Sequence, residues 1–392
     1  MKQDTFQSPD FLELDLELTE EQKLIRDSVR QWVKTNVSAV IEDKFEEGMH
    51  SLDLINSLSE LGCFGAIIPM EYGGMGLDFM SYGLMMQELE RGDSSLRVLS
   101  SIQTSLVMYS INKWGKEKLK NHFLPKLAQG ELMGCFGLTE PDHGSDPSSM
   151  NTVYRRVEGG VLVHGSKLWI GNAQSADVCI VWAKNDSGKY AGLLVDSSIS
   201  GFSSQKFNDK WSFRSSETGE LVFDQVFIPE KRILVEHESL EKAYECLNVG
   251  RYAVGWGALG IAMDCYDVAL KYSKERIQFG KPIAGFQLVQ KKLSEMITSI
   301  SKAQLLAMRV ANLFDKGNIK FEHVSMLKRN NVECAFHAAH TSREILGAMG
   351  ITKEYPLMRH ILNIETLITY QGTQDIHHLI TGRSVTGISA FN

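Results

Sequence analysis

Several features that define special classes of protein are missing from this sequence. Its six cysteines are scattered, with no two close together in the chain, which predicts reduced thiols and not a disulfide framework or a zinc site. No apolar run approaches the roughly 20 residues of a membrane-spanning helix. Residues 1–4, Met-Lys-Gln-Asp, contain no apolar core of a secretory leader. We therefore expect a cytoplasmic protein with no membrane partner.

Positive charge is also in short supply. The 392 residues include 41 Lys and Arg against 48 Asp and Glu, which gives a formal net charge of −7. General nucleic-acid-binding proteins are usually basic, so we expect no nucleic-acid partner. Hydrophobic residues make up 43% and charged residues 23% of the chain, as in an ordinary globular protein that is long enough for a large layered core.

What the sequence does contain is an ordered change of hydrophobic pattern. Residues 1–132 show helical spacing, and the first helix is predicted to begin at Thr19-Glu20-Glu21-Gln22, which has the form of a capping box. A further helix is predicted over roughly 100–114. Residues 133–236 hold short β-rich runs, such as 178–182, that indicate a small sheet or barrel. Residues 237–392 return to long helical patterns. The sequence thus predicts an α+β chain with a helical domain, a β domain and a second helical domain.

Several segments stand out from this background. They are Cys135-Phe136-Gly137-Leu138-Thr139-Glu140-Pro141 followed by Gly144-Ser145-Asp146, Lys167-Leu168-Trp169-Ile170, Arg276-Ile277-Gln278-Phe279-Gly280, Gly347-Ala348-Met349-Gly350 and Thr369-Tyr370-Gln371-Gly372-Thr373-Gln374-Asp375-Ile376. Each alone has an ordinary explanation, such as a helix end, a core tryptophan or a solvated arginine. Their order and joint presence resemble the acyl-CoA dehydrogenase family, and within it glutaryl-CoA dehydrogenase most closely, from about residue 18 to Phe391.

The resemblance implies a fold, an assembly and partners. The expected fold has an all-α N-terminal domain, a central β-barrel-like domain and a C-terminal four-helix bundle that packs against its copies in a homotetramer. The implied substrate is an acyl-CoA or a carrier-bound acyl thioester. An electron-transfer flavoprotein is the implied partner if the reaction is oxidative.

The resemblance also implies FAD as the cofactor. A flavin needs an apolar slot with a few hydrogen bonds at its polar edge, small residues where the backbone meets its pyrophosphate, and a fixed positive charge nearby. The implied cofactor-binding residues are Phe136, Leu138, Thr139, Ser145, Trp169, Ile170, Gly171, Arg276, Gln278, Phe279, Glu344, Gly347, Gly350, Thr373 and Asp375.

Arg97 is the implied anchor for the acyl chain. In the glutaryl-CoA branch the arginine at this position binds the far carboxylate, and Glu90 and Ser101 match its two helpers. A guanidinium grips a carboxylate or a sulfinate through two parallel hydrogen bonds. The alternative is a surface arginine that pairs with Glu90. Ser145 and Arg251 complete the implied substrate-binding set.

The sequence departs from the family at the residue after Tyr370. The family has a glutamate there, which removes a proton from the carbon next to the thioester. This chain has Gln371, and an amide has no titratable group that could accept a proton near neutral pH. Some branches carry the glutamate on another helix, immediately before an arginine. The matching position here is Gly250, before Arg251, so neither known position for the base holds a carboxylate.

A second departure lies on the flavin side. The family usually has Thr or Ser where this chain has Gly171, and that hydroxyl donates a hydrogen bond near the hydride-accepting nitrogen of the flavin. Ala348 is a milder departure, since the usual pair there is Gly-Gly. The missing base at Gln371 affects proton removal, and the missing hydroxyl at Gly171 affects hydride transfer. Together they fit a protein that does not need to carry out α,β-dehydrogenation, whereas Arg97 fits continued binding of an anionic thioester.

Four functions remain open on the sequence. The first is oxidation of a glutaryl-like thioester at its α and β carbons, with or without decarboxylation to crotonyl-CoA. The second is non-oxidative release of CO2 or sulfite from an anionic thioester, by a decarboxylase or a desulfinase-type flavoprotein. The third is a non-catalytic subunit that binds FAD and a thioester. The fourth is action on an acyl group carried by a phosphopantetheine protein.

Overall fold

The structure is a computed structural model that describes residues 9–49 and 51–390. Residues 1–4, on which the prediction about a secretory leader depends, lie outside this part. The N-terminal region is helical, as the hydrophobic spacing predicts. Its helices are α1 (Glu20–Asn36), α2 (Ile41–Glu47), α3 (Ile55–Glu60), α4 (Phe79–Gly92), α5 (Ser94–Ser101), α6 (Tyr109–Trp114) and α7 (Glu117–Ala128).

The first helix begins where the capping box predicts. The Thr19 hydroxyl accepts a hydrogen bond from the Gln22 amide at 3.2 Å, and the Gln22 side chain accepts one from the Thr19 amide at 3.0 Å. Two N–H groups that no helical carbonyl can reach are thereby satisfied. Where the sequence predicts one further helix over roughly 100–114, α5 instead continues through a π-helical stretch, Ile102–Met108, into α6. Such wide turns are frequent at functional sites.

The middle region forms one sheet. Its strands are β1 (Gly134–Gly137), β2 (Val153–Val157), β3 (Gly160–Gly171), β4 (Val178–Lys184), β5 (Tyr190–Asp196), β6 (Phe202–Lys206), β7 (Thr218–Pro229) and β8 (Ile233–His237). They pair in the order β6-β7-β3-β2-β4-β5-β8, with β1 beside β4. Among the described residues the end strands β6 and β8 do not pair with each other, so the predicted barrel-like module is an open sheet.

The sheet brings together two cysteines that are far apart in the chain. Strands β1 and β4 run parallel, and their register places Cys135 opposite Cys179. The sequence shows no close pair, because the spacing of residues along the chain says nothing about which strands become neighbours. All six cysteines are free and buried, in agreement with the predicted reduced thiols.

The C-terminal region returns to helices and includes a small hairpin. The elements are α8 (Glu241–Glu275), β9 (Ile277–Gln278), β10 (Lys281–Pro282), α9 (Gln287–Asp315), α10 (Phe321–Leu346), α11 (Leu357–Thr369) and α12 (Gln374–Thr386). Helix α8 alone, among the described helices, is long and apolar enough to cross a membrane, but 78% of its most apolar window is buried inside the protein. Its composition is therefore explained by packing in the core.

Helix α8 is central to the larger of two hydrophobic cores. It packs between α4 and α10, and side chains such as Val254, Leu259 and Ile261 are fully buried. A Cβ atom placed on Gly260 would lie 2.1 Å from the Gln87 carbonyl oxygen, so only glycine allows α4 to approach this closely. The second core lies within the β sheet. The close packing of α8 against its neighbours fixes the site described next.

Candidate active site

The segment that joins α11 to α12 forms a tight turn. Gln371 adopts a left-handed conformation with φ of 53°, and Gly372 follows with φ of 97°. Thr373 then caps α12, because its hydroxyl accepts a hydrogen bond from the Ile376 amide at 3.2 Å. Two consecutive residues with positive φ reverse the chain sharply and turn the backbone carbonyls toward the protein interior.

Two buried basic side chains bind those carbonyls. The Lys328 ammonium donates to the carbonyl oxygen of Tyr370 at 2.9 Å and to that of Gly372 at 2.6 Å. The Arg251 Nε donates to the Gln371 carbonyl oxygen at 2.7 Å. The carbonyls of three successive residues thus point at two cations, one on α8 and one on α10.

The side chain of Gln371 lies against α8 at Gly250. A Cβ atom placed on Gly250 would lie 2.9 Å from Gln371 Oε1 and 3.0 Å from Nε2. The two positions at which the family carries its base are therefore in direct contact, and neither provides a carboxylate. Gln371 Oε1 is buried and has no hydrogen-bond partner, so a ligand group could occupy the space beside it.

Arg97 is fully buried, so the alternative of a surface arginine is wrong. Its Nε donates to Glu90 Oε2, and Glu90 Oε1 accepts a hydrogen bond from the Ser94 hydroxyl at 2.5 Å. Arg97 Nη1 is buried with no partner. The guanidinium carbon lies 5.8 Å from the centre of the Tyr370 ring. The predicted helper Ser101 is also buried, and its hydroxyl donates to the Val98 carbonyl oxygen at 3.1 Å; its role toward a ligand stays a prediction.

Glycine at position 257 makes room for this ion pair. A Cβ atom there would lie 2.6 Å from Glu90 Oε2 and 3.1 Å from Arg97 Nε. Helix α8 thus faces the Glu90–Arg97 pair with bare backbone at Gly257. Two turns earlier, the same helix places Gly250 against Gln371, so glycines of α8 shape both ends of the site.

The turn lies in a positively charged environment. Burial, Arg251 and Arg97 together lower the pKa of Lys328 well below its ordinary value. Burial lowers the pKa of Arg251 to about 10. Burial acts to lower the pKa of Arg97 as well, but the Glu90 carboxylate outweighs it and raises that pKa. Among the described contacts, Glu90 is the one carboxylate in this group, so the site favours a ligand that brings negative charge.

The predicted flavin residues of the middle region lie together. Phe136 is on β1, Trp169 is near the end of β3, and the Leu168 amide donates to the Thr139 carbonyl oxygen at 2.9 Å. Lys167, fully buried, donates to the Leu138 carbonyl oxygen at 3.1 Å and to Glu140 at 2.8 Å. This anchors the backbone that follows β1 against β3.

Gly171 is closed off by a neighbour from the π-helical stretch. A Cβ atom on Gly171 would lie 2.5 Å from Ile102 Cδ1. The methyl group of Ile102 thus fills the position where the family's threonine or serine would begin. The hydroxyl of the family is therefore absent, and the apolar side chain of Ile102 occupies its position.

The remaining predicted cofactor residues lie mostly at the surface. Ser145, Asp375 and the hairpin residues Arg276, Gln278 and Phe279 are exposed, while Ile170 and Gly350 are buried and Thr373 is half-buried. Phe279 is 94% exposed, and open space surrounds Gly347, which has a φ of 61°. The Glu344 carboxylate pairs with Lys292 at 2.7 Å.

These residues fit a flavin nucleotide. Trp169 is 61% exposed although its ring is large and apolar, so it presents a flat surface for an aromatic ligand. Gly347 offers a backbone that a pyrophosphate can approach without steric hindrance. The buried cluster around Arg97 adds polar atoms without partners, which a bound acyl group would satisfy.

Comparison with known proteins supplies the family. Models of the N-terminal, middle and C-terminal domains of acyl-CoA dehydrogenase match residues 19–131, 135–226 and 240–386. The chain belongs to the acyl-CoA dehydrogenase family. Glutaryl-CoA dehydrogenase of Desulfococcus multivorans is 33% identical over 390 residues, which cover 97% of this chain and 100% of that protein.

Solved structures agree. A crystal structure of glutaryl-CoA dehydrogenase from Mycobacterium smegmatis is 42% identical, with a TM-score of 0.96 and coverage of 99% of this chain and 100% of that one. Another from the same organism, in complex with FADH2, is 39% identical, with a TM-score of 0.95 and coverage of 98% and 99%. The predicted family, fold class and FAD cofactor are confirmed, and the chain is an oxidoreductase of this family.

Sequence reasoning missed Lys328. This lysine is fully buried and falls on the apolar face of α10, between Val324, Leu327, Asn331 and Val332. A lysine at a helical core position could have been noticed from periodicity, since lysine is almost never fully buried unless paired. Its partners could not have been inferred, because they lie about forty residues further along the chain.

Proposed function

We propose that this flavoprotein binds an acyl thioester whose far end is anionic, as in a glutaryl group. The observation that carries the proposal is the state of Arg97. Its Nε is engaged by Glu90, yet its Nη1 is buried without a partner near Tyr370. A buried guanidinium N–H without an acceptor is costly, and a carboxylate or sulfinate from a ligand would satisfy it.

The first candidate reaction is oxidation of this thioester at its α and β carbons, with or without loss of CO2. Bound FAD supplies the hydride acceptor in such chemistry, and electrons would leave through an electron-transfer flavoprotein. The protein would hold the acyl chain of the substrate between Arg97 and the Tyr370–Gly372 turn. Family membership and the glutaryl-CoA dehydrogenase relatives support this candidate, whereas Gln371 provides no base.

The second candidate is non-oxidative loss of CO2 from a thioester that is already unsaturated. The carbon–carboxylate bond breaks, its electron pair moves into the conjugated thioester, CO2 leaves, and a proton from water completes the product. This route needs no α-proton abstraction and no net electron acceptor. This candidate is favoured by the residues at the two base positions. Gln371 and Gly250 touch each other, and neither carries a carboxylate.

One anaerobic titration separates these candidates. Purified FAD-loaded protein is mixed with glutaryl-CoA while the visible flavin band is followed. Bleaching at a rate useful for turnover would support oxidation. A shifted but unbleached band would support binding without oxidation, and glutaconyl and sulfinate thioesters would then be assayed for released CO2 or sulfite. An unchanged band with saturating glutaryl-CoA would contradict the anionic-thioester proposal itself.

The unsaturated and sulfinate thioesters also test the non-catalytic alternative. Spectral shifts with all of them, but no product from any, would indicate a binding subunit. Repeating the assay with the acyl group on a phosphopantetheine carrier protein would distinguish a carrier thioester from the coenzyme A form. Product formed only from the carrier form would assign the substrate to that class.

We also propose a homotetramer. Phe279 is 94% exposed and Ile277 on the same hairpin is 52% exposed, and apolar side chains presented in this way favour coverage by another copy of the chain. Mass photometry of the FAD-loaded protein tests this assembly. A monomer at all concentrations would contradict it.

A further inference from the structure

We infer that Lys328 is a positioning residue that holds the Tyr370–Gly372 turn in its binding conformation. The inference rests on the proposed function, because it concerns the binding of an acyl thioester at this turn. The hydrogen bonds of Lys328 to the turn go to backbone carbonyls, at 2.9 Å from Tyr370 and 2.6 Å from Gly372, and none goes to the side chain of Gln371. It therefore acts on the conformation of the turn, whatever side chain stands at position 371.

The turn needs such a constraint. Gln371 has a left-handed backbone conformation, which is disfavoured for residues that carry a side chain. Gly372 follows with positive φ, and glycine by itself restricts the backbone very little. Without bonds to its carbonyls, the segment between α11 and α12 would have other conformations available. Arg251 binds the carbonyl of Gln371, and the Lys328 ammonium bridges the carbonyls on either side of it, so the two cations together select one conformation.

The surroundings of Lys328 are consistent with this role. Its side chain is fully buried, and among residues 9–49 and 51–390 its hydrogen bonds go to the two carbonyls of the turn and no carboxylate forms an ion pair with it. A buried charge without a counter-ion is unfavourable, and burial, Arg251 and Arg97 lower its pKa accordingly. The carbonyls of the turn are what compensate the ammonium in this structure. Lysine in place of an apolar residue at this core position is thus explained by the turn.

By holding the turn, Lys328 controls two side chains that face the ligand site. It holds Tyr370, whose ring centre lies 5.9 Å from Lys328 Nζ and 5.8 Å from the guanidinium carbon of Arg97. It also fixes the direction of Gln371, whose amide packs on Gly250. A relaxed turn would displace both, so binding of every acyl thioester should weaken, charged or not. Loss of Arg97 should weaken only the anionic ones.

The test compares Lys328→Met with the matched control Lys291→Met. Lys291 is exposed on α9 and pairs with Glu295. The dissociation constants of butyryl-CoA and glutaryl-CoA are measured from flavin spectral shifts. We expect Lys328→Met to raise both constants by a similar factor of about tenfold or more, the scale for hydrogen bonds to a charged group, at wild-type FAD content. Wild-type constants in Lys328→Met would overturn the inference.

Chemical rescue separates positioning from a general structural role. In Lys328→Ala, added propylammonium should restore thioester binding in a saturable manner, whereas propanol should not, because it lacks the charge and the extra donors. Equal effects of both additives, or of neither, would overturn the inference. If Lys328→Met and Lys328→Ala lose FAD, Lys328→Gln is measured instead, since one neutral amide cannot replace both bonds. Wild-type affinity in Lys328→Gln would then overturn it.

The same data keep the inference distinct from the proposed function. If wild-type protein and Lys291→Met show no spectral shift with either thioester, the proposed function fails. If both shift normally and Lys328→Met shifts with unchanged affinity, only the role of Lys328 fails.

Discussion

Gln371 and Gly250 lie in contact although they stand 121 positions apart in the chain. A side chain that began at Gly250 would meet the Gln371 amide at 2.9 Å. Side chains at the two positions where this family carries its base therefore reach the same part of the site. In this protein an amide occupies one and a bare backbone the other.

A carboxylate restored at this point should restore proton abstraction. We expect Gln371→Glu to accelerate anaerobic flavin bleaching by glutaryl-CoA by about 10²–10⁴-fold, the usual contribution of a positioned base. The exchanged pair Gln371→Gly with Gly250→Glu should also gain activity, since it moves the carboxylate to the other approach. If neither variant bleaches faster than wild type, the limit lies at Gly171 or in the substrate.

Removal of Arg97 should change specificity. A lone Arg97→Ala leaves Glu90 buried without its partner, which destabilises proteins by about 3–5 kcal/mol. The double variant Arg97→Ala with Glu90→Gln avoids this charge. We expect its dissociation constant for glutaryl-CoA to rise roughly 30-fold or more, while that for butyryl-CoA changes little. An equal loss for both thioesters would rule out Arg97 as the anion anchor.

Gly257→Ala tests the same site from the opposite side. The added methyl would lie 2.6 Å from Glu90 Oε2, so the Glu90–Arg97 pair must shift. We expect a selective loss of glutaryl-CoA affinity of about tenfold, equivalent to about 1.4 kcal/mol. Gly382→Ala on α12 is the matched control, since it has nothing within 4 Å. Unchanged preference for glutaryl over butyryl thioesters in Gly257→Ala would argue against the steric requirement.

A hydroxyl at position 171 should require a smaller neighbour. Gly171→Ser alone places an atom 2.5 Å from Ile102 Cδ1 and should lower the unfolding midpoint and the FAD content. Ile102→Val removes that methyl at a cost of about 0.5–1.5 kcal/mol. We therefore expect Ile102→Val with Gly171→Ser to hold more FAD than Gly171→Ser alone. Additive effects of the two changes, measured by thermal unfolding, would show that they do not interact.

Acid should destabilise the protein through His377. Burial, together with Lys328 and Arg251, lowers the pKa of this ring from 6.5 to about 2. Below pH 6.5 His377 therefore binds a proton in the unfolded chain but stays neutral in the folded protein. The free energy of unfolding is unaffected above about pH 7 and falls by up to about 1.4 kcal/mol per pH unit between pH 6.5 and 2.

The His377 contribution can be isolated by substitution. His377→Gln should flatten the decline between pH 6.5 and 5, measured by urea unfolding, by about 2 kcal/mol. His337→Gln is the control, since that side chain is 70% exposed on α10. The same pH dependence in wild type and His377→Gln would show that His377 does not carry the effect.

Local patterns predicted much of the fold because they report local physics. The Thr19–Gln22 capping box and the 3.6-residue spacing of apolar side chains determine where helices begin and which face is buried. Other predictions depended on packing and differed in detail. The expected helix over 100–114 contains a π-helical stretch, and the barrel-like module is an open sheet.

The family, the order of the regions and the lack of a carboxylate at positions 250 and 371 could all be read from the amino-acid sequence. These follow from residue identity and from spacing along one chain. Three further features became visible only in the folded chain: positions 250 and 371 touch, Arg97 keeps an unpaired N–H, and Lys328 binds the turn. Each of these depends on how α8, α10 and α11 pack, and that packing is set by the shape of the whole core.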